Sequence, residues 1–203
     1  YKGPYDLSCK LDGVSALFYN EGEVPKLYTR GNGVEGQDIS HLIPYLRLPL
    51  KSKCTLRGEL ILSKRLFQEK YIKKAANARN LVSGWVNRKI ASPELWRDLS
   101  FVAYEMVYPQ TNPIDQKKRL TKMDVECVKC YQTNGLDNTI LSKLLVELRD
   151  KYEYEIDGII VRENKYVNPQ NTNPKNAFAF KMILADQVVE AKVLEVEWNA
   201  SKN

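Results

Sequence analysis

The sequence has one histidine, His41, in 203 residues. Serine–histidine nucleophilic chemistry would have to rest on that single imidazole, which reads more simply as a structural side chain. Cysteine is scarce too. Of Cys9, Cys54, Cys127 and Cys130, only the last two form a CxxC, and no second pair or histidine lies near enough to complete a tetrahedral zinc set. Reduced structural thiols in an intracellular protein are the expected reading. No apolar run approaches the ~18–20 residues of a membrane helix, and no basic-then-apolar leader opens the chain. Internal repeats and low-complexity segments are lacking as well.

What is present is an ordinary globular composition, 43% hydrophobic and 28% charged, enough to bury a real core. The formal net charge is +6, from 31 basic against 25 acidic residues. That surplus suits a polyanionic partner such as DNA, and equally a plain basic surface.

Strand patterns run from Tyr5 to Lys10, Val14 to Tyr19 and Lys26 to Arg30, separated by the hairpin signals Asp12-Gly13 and Glu21-Gly22. Gly31, Gly33 and Gly36 make a corner, and a helix is expected from Gln37 to about Arg47. Further strands are read at Cys54 to Leu62, Leu99 to Tyr108, Ile156 to Arg162, Ala177 to Ile183 and Gln187 to Trp198. Lys64 to Ala76 reads as a basic helix and Pro109 to Gln116 as a loop. Thr121 with Asp124 reads as a helix start. Thr139 to Lys151 places Ile140, Leu141, Leu144, Leu145 and Leu148 on one helical face, the expected core stripe. Helices and strands mix without a strict βαβ rhythm, so the fold class is α+β with antiparallel sheets flanked by helices.

Five short clusters carry the chemistry. They are Lys10-Leu11-Asp12-Gly13, Arg30-Gly31-Asn32-Gly33, Arg57-Gly58-Glu59-Leu60, the run Glu155 to Arg162, and Ala179-Phe180-Lys181-Met182. The first alone would pass for a surface turn. Together they supply a lysine that can attack phosphorus once unprotonated. They supply carboxylates (Asp12, Glu59, Asp157) that can hold Mg²⁺ through its waters. They also supply cations (Arg30, Lys181) that can neutralise phosphate charge in a transition state.

In this order the clusters resemble the covalent nucleotidyltransferases: DNA ligases, RNA ligases and mRNA capping enzymes. The run Tyr28 to Ile39, with Ala78-Arg79-Asn80 and Ala177 to Lys181, resembles the NAD-dependent DNA ligases specifically. The resemblance covers about Tyr5 to Trp198. It implies the nucleotidyltransferase (ATP-grasp-like ligase) fold, with Lys10 as the residue that takes AMP from NAD. Asp12, Glu59 and Asp157 would serve the metal, and Glu59 would also lie near the ribose. Arg30 would contact the ribose and the nick, and Lys181 the α-phosphate. Arg79 would lie near nucleotide and DNA phosphates. Tyr104 would stack on adenine, although an apolar strand on both sides also fits a core aromatic. Ile160 and Arg162 would line the nucleotide site.

Several positions depart from the pattern. Ser8 stands where the family carries a glutamate that contacts adenine, Arg162 replaces a lysine, Asn176 replaces a tryptophan, and Arg88 falls one residue late. These point to a divergent branch, viral ligases among the options. The resemblance further implies nicked double-stranded DNA as partner, a monomer, no membrane and an intracellular setting. Residues 1–198 would be the adenylation domain and 199–203 the start of a linker to an oligonucleotide-binding domain. An ATP-dependent ligase domain and an inactive DNA-binding module are the alternatives.

Overall fold

The computed structural model describes residues 3–32, 34–87, 92–168, 174–182, 192 and 194–196. Among the described residues nine strands, β1 to β9 in chain order, form two sheets ordered β7-β1-β8-β9 and β3-β2-β4-β5-β6. In the first sheet β1 (Tyr5–Leu11) lies antiparallel between β7 (Cys130–Thr133) and β8 (Ile156–Glu163), with β9 (Ala177–Phe180) at the edge. In the second, β2 (Val14–Tyr19), β3 (Lys26–Thr29), β4 (Thr55–Ile61) and β5 (Ser100–Tyr108) pair antiparallel. The two-residue β6 (Glu126–Cys127) adds a parallel edge.

Alternation along β1 sets the plan of the molecule. Tyr5, Leu7, Cys9 and Leu11 enter a core with Ile159, Val161, Ile61, Val102 and the buried face of α5 (Asn138–Lys151). Asp6, Ser8 and Lys10 therefore project from the opposite face. A second core covers the other side of the β2–β5 sheet. There Phe18, Leu56, Leu60 and Phe101 meet Val82 and Trp85 of α2 (Ala78–Val86) and Leu120 of α4 (Pro113–Leu120). The remaining faces of the two sheets bound a polar cleft.

The antiparallel α+β architecture is as expected, but several local readings are corrected. The helix expected from Gln37 is only a 3₁₀ turn, Ser40–Tyr45, with Pro44 inside it. The basic helix from Lys64 shortens to α1 (Lys64–Leu66) and a wide turn ending at Tyr71. Pro109 to Gln116 is not all loop. Asn112 accepts a hydrogen bond from the Asp115 backbone N–H, Pro113 occupies the first turn, and α4 begins there. Thr121 accordingly ends a helix rather than starting one. In α5 the stripe is narrower than expected: Leu141, Leu145 and Leu148 are buried, while Ile140 is 57% exposed. The short α3 (Pro93–Trp96) and the strands β6 and β7 were not anticipated. Gln187 to Trp198 falls mostly outside the described residues, as do Gly33 and Arg88.

Candidate active site

β-Bulges shape the cleft. The partner of Lys10 is Gly158 and that of Leu11 is Ile156, so Asp157 is an extra residue in β8. A bulge re-aims a side chain without disturbing the strand on either side. Asp157 thus joins Gly158, Ile160 and Arg162 on the cleft face, while Ile156 and Ile159 stay in the core. On the second sheet, Arg57 pairs with Glu105 and Gly58 with Ala103, leaving Tyr104 as the extra residue in β5. A third irregularity in the same pair falls at Val107.

Asp157 holds two lysines. The Lys10 ammonium lies 2.9 Å from each carboxylate oxygen, and Lys181 donates to Oδ2 at 2.9 Å. Burial works against the Asp157 charge, yet the hydrogen bonds from Lys10 and Lys181 outweigh it and hold the carboxyl below its usual range. Gly158 allows this closeness. A Cβ there would sit 2.5 Å from the Phe180 carbonyl oxygen and 3.1 Å from the Lys181 side chain.

Asp12, just past β1, accepts a hydrogen bond from Arg79 of α2 at 2.8 Å. Glu59 of β4 is only 8% exposed. Burial pushes its carboxyl up to about 7, against the pull of Arg79, the Gly13 backbone N–H and Lys10, with Asp12 adding to the rise. Among the described residues no three histidine, cysteine, aspartate or glutamate side chains converge closely enough to cage a metal directly. Asp12, Glu59 and Asp157 nevertheless line one acidic strip beside Lys10. A divalent ion that retains its waters fits such a strip, and a buried Glu59 gains from a nearby cation.

Tyr104 is half-buried, and its hydroxyl lies 2.7 Å from Ser15 Oγ. Burial, and then the Glu59 charge, push the phenol up to about 12. Tyr104 packs at the margin of the inter-sheet core, so the core and site readings share one ring. Beyond it, Glu105 meets Arg57 at 2.9 Å and Arg162 at 3.8 Å across the cleft. Ile160 lies between Ser8 and Ala179 on the opposite wall. Arg30 is exposed on its glycine-rich corner, anchored through its backbone N–H to Ser15. Gly31 there has φ +54°, which admits glycine most readily.

The structure thus brings Lys10, Asp157 and Lys181 into direct contact and pairs Asp12 with Arg79. Tyr104, Ile160 and Arg162 line the same cleft. Ser15, Arg57, Glu105, Asp6 and Lys117 were missed from sequence. Alternation places Asp6 on the face of Lys10, so it could have been found. Lys117, whose ammonium donates to the Tyr104 carbonyl at 2.8 Å, follows the segment read as a loop and lies in α4, which that reading did not include. His41 lies 5.0 Å from the Trp96 ring, as a structural aromatic does, and all four cysteines are free thiols. Among the described residues no helix is long and apolar enough to cross a membrane.

Comparison with known proteins bears on the family and the fold. A model of the NAD-dependent DNA ligase adenylation domain matches residues 2–183. The DNA ligase of Acanthamoeba polyphaga mimivirus is 39% identical over all of this chain and a third (33%) of its own length. That of Petrotoga mobilis is 26% identical over 95% of this chain and 32% of its own. The chain thus spans about a third of these relatives. A Lig E DNA ligase shares the fold with TM-score 0.58 at 18% identity, over 88% of this chain and 62% of its own. The ATP-dependent DNA ligase of bacteriophage T7 does so with TM-score 0.55 at 16% identity, over the same shares.

Proposed function

The chain belongs to the family of NAD-dependent DNA ligase adenylation domains, and from that premise we propose that it carries AMP on Lys10 between NAD and a DNA nick. The observation that supports this best is the shared carboxylate of Asp157, which holds Lys10 and Lys181 at 2.9 Å. A lysine held by a carboxylate is fixed in place but charged, and a charged amine does not attack phosphorus. Asp157 is therefore the positioning group, and the Lys10 proton would leave to solvent as Lys181 and a bound divalent cation crowd the ammonium. The Lys10 nitrogen then bonds to the α-phosphorus as the bond to nicotinamide mononucleotide breaks. Lys181, beside the same carboxylate, would neutralise charge on the phosphoryl oxygens.

In the second step AMP passes from Lys10 to the 5′-phosphate at a nick in double-stranded DNA. Arg30 and Arg79, both exposed, are the cations placed to meet ribose and DNA phosphates. Asp12, Glu59 and Asp157 would hold Mg²⁺ through its waters, and the ion would supply charge neutralisation at the phosphates. Tyr104 offers its ring to the adenine, with Ile160 opposite and Arg162 at the far edge. The protein is taken to act as an intracellular monomer, with residues 1–198 as one adenylation domain.

Intact-mass measurement after incubation with NAD and Mg²⁺ tests the reading, using the chain or a longer form that contains it. One added adenylate is expected, absent in Lys10→Ala. Adenylate retained by Lys10→Ala would overturn the assignment.

A further inference from the structure

At the closed end of the cleft, Glu105 reaches across from β5 to Arg162 of β8, next to the buried Asp6. Asp6 pairs with Arg162 in register and is 1% exposed, with neither carboxylate oxygen hydrogen-bonded among the described residues. Lys117 and Arg162 supply its opposing charge. Arg162 thus has the Asp6 charge beside it in register and Glu105 facing it from across the cleft. The two oxygens of Glu105 differ. Oε2 takes the Arg57 guanidinium at 2.9 Å, whereas Oε1 has only the 3.8 Å approach of Arg162 among the described residues. Glu105 retains 22% exposure, so Oε1 is an acceptor with capacity left, facing the cleft.

A nucleotide joined through phosphorus to Lys10 must run along this face. One way leads out past Asp12 and Arg79 to solvent. The other leads over the pair Ser8–Ile160, under Tyr104, to the pair Asp6–Arg162. Each step of two residues is roughly 7 Å, so a base lying over Ser8 turns its far edge toward Glu105 and Arg162. Resting on the adenylate reading above, we propose that Glu105 is the residue that selects adenine. Its free oxygen accepts from the exocyclic amine while Arg162 donates to the adjacent ring nitrogen. Hypoxanthine and guanine reverse both polarities along that edge, placing a carbonyl against the carboxylate. Ser8, 4% exposed and uncharged, cannot impose this selection from its own position. The bulge at Tyr104 makes the arrangement possible, because it lets the stacking ring and the following carboxylate face the cleft together.

Calorimetric binding of AMP and of inosine monophosphate to the chain tests this. The chain is expected to prefer AMP by about tenfold to a hundredfold, the range for a hydrogen bond to a charged group. In Glu105→Gln the amide oxygen pairs with Arg57, leaving the amino group toward the base. The preference should then collapse or invert, chiefly through weaker AMP binding. Glu105→Asp should keep the preference at reduced affinity. Equal weakening of both nucleotides in Glu105→Gln would assign the residue a purely structural role and overturn the proposal. So would the absence of any preference in the unmodified chain, a result that needs no variant to fold. Adenylation of Lys10, read separately by mass, distinguishes the failures. Equal binding with Lys10 still adenylated removes only the role of Glu105, whereas no binding and no adenylate remove both readings.

Discussion

Glu59 shows how a single residue links the site to stability. Its carboxyl is raised from 4.5 to about 7 chiefly by burial, so the folded chain holds a proton there that the unfolded chain has lost. Below pH 4.5 both states are protonated and the group costs nothing. Between 4.5 and about 7 the unfolded state ionises first, and stability falls as pH rises; above that range the loss is complete and constant. Glu59→Gln should remove this slope and leave the variant more stable than the parent at pH 8. Thermal melts from pH 4 to 8 measure it, and parallel curves for the two proteins would refute the assignment. A cation held beside Glu59 should lower its pKa and flatten the parent's curve as well. Burial of this carboxyl thus carries a standing cost above about pH 7 that a neighbouring cation would offset.

Elements hold these residues by contacts the sequence hides. Gly58 lies under Phe101 of β5, where an added Cβ would stand 2.5 Å from the ring. Gly58→Ala should cost about 1–3 kcal/mol as an overpacked core position, read as a lowered denaturation midpoint; an unchanged midpoint would show that the ring yields freely. The glycine beside Glu59 was legible as part of a motif, but its partner ring was not. The same division runs through the chain. Strand β4 was legible because its residues alternate, β5 because aromatic and β-branched residues crowd it, and β1 and β2 through the hairpin signals beside them. The 14-residue α5 was legible because Leu141, Leu145 and Leu148 recur at helical spacing. α4 was missed because Asn112 and Pro113 read as loop residues, although together they form a helix start. Lys10, Asp12, Glu59, Asp157 and Lys181 stood out through their order along the chain. The cross-strand partners Ser15, Arg57 and Glu105 did not, because register between strands distant in sequence is set by tertiary packing that no local pattern encodes.

At the scale of the whole molecule, β4 and β5 separate the two cores. Phe101 and Val102 are neighbours in sequence but lie in different ones. Cores that share a wall should not melt separately. Phe101→Leu and Val102→Ala are therefore expected to lower one common midpoint; two resolved transitions would mean that the sheets unfold independently. The bulges in these walls carry a further consequence. Take Asp157 out of β8, and Ile156, Gly158, Ile159, Ile160 and Val161 alternate regularly between core and cleft. Take Tyr104 out of β5, and Phe101, Val102, Ala103, Glu105 and Met106 alternate regularly between the two faces of the sheet. Each of these site residues is a supernumerary letter spliced into a strand that would read more regularly without it. Deleting the Asp157 codon, rather than changing it, should therefore yield a folded protein with an intact ladder whose Lys10 has lost its counter-ion. In that sense the proposed chemistry rests on residues that interrupt the strand repeat.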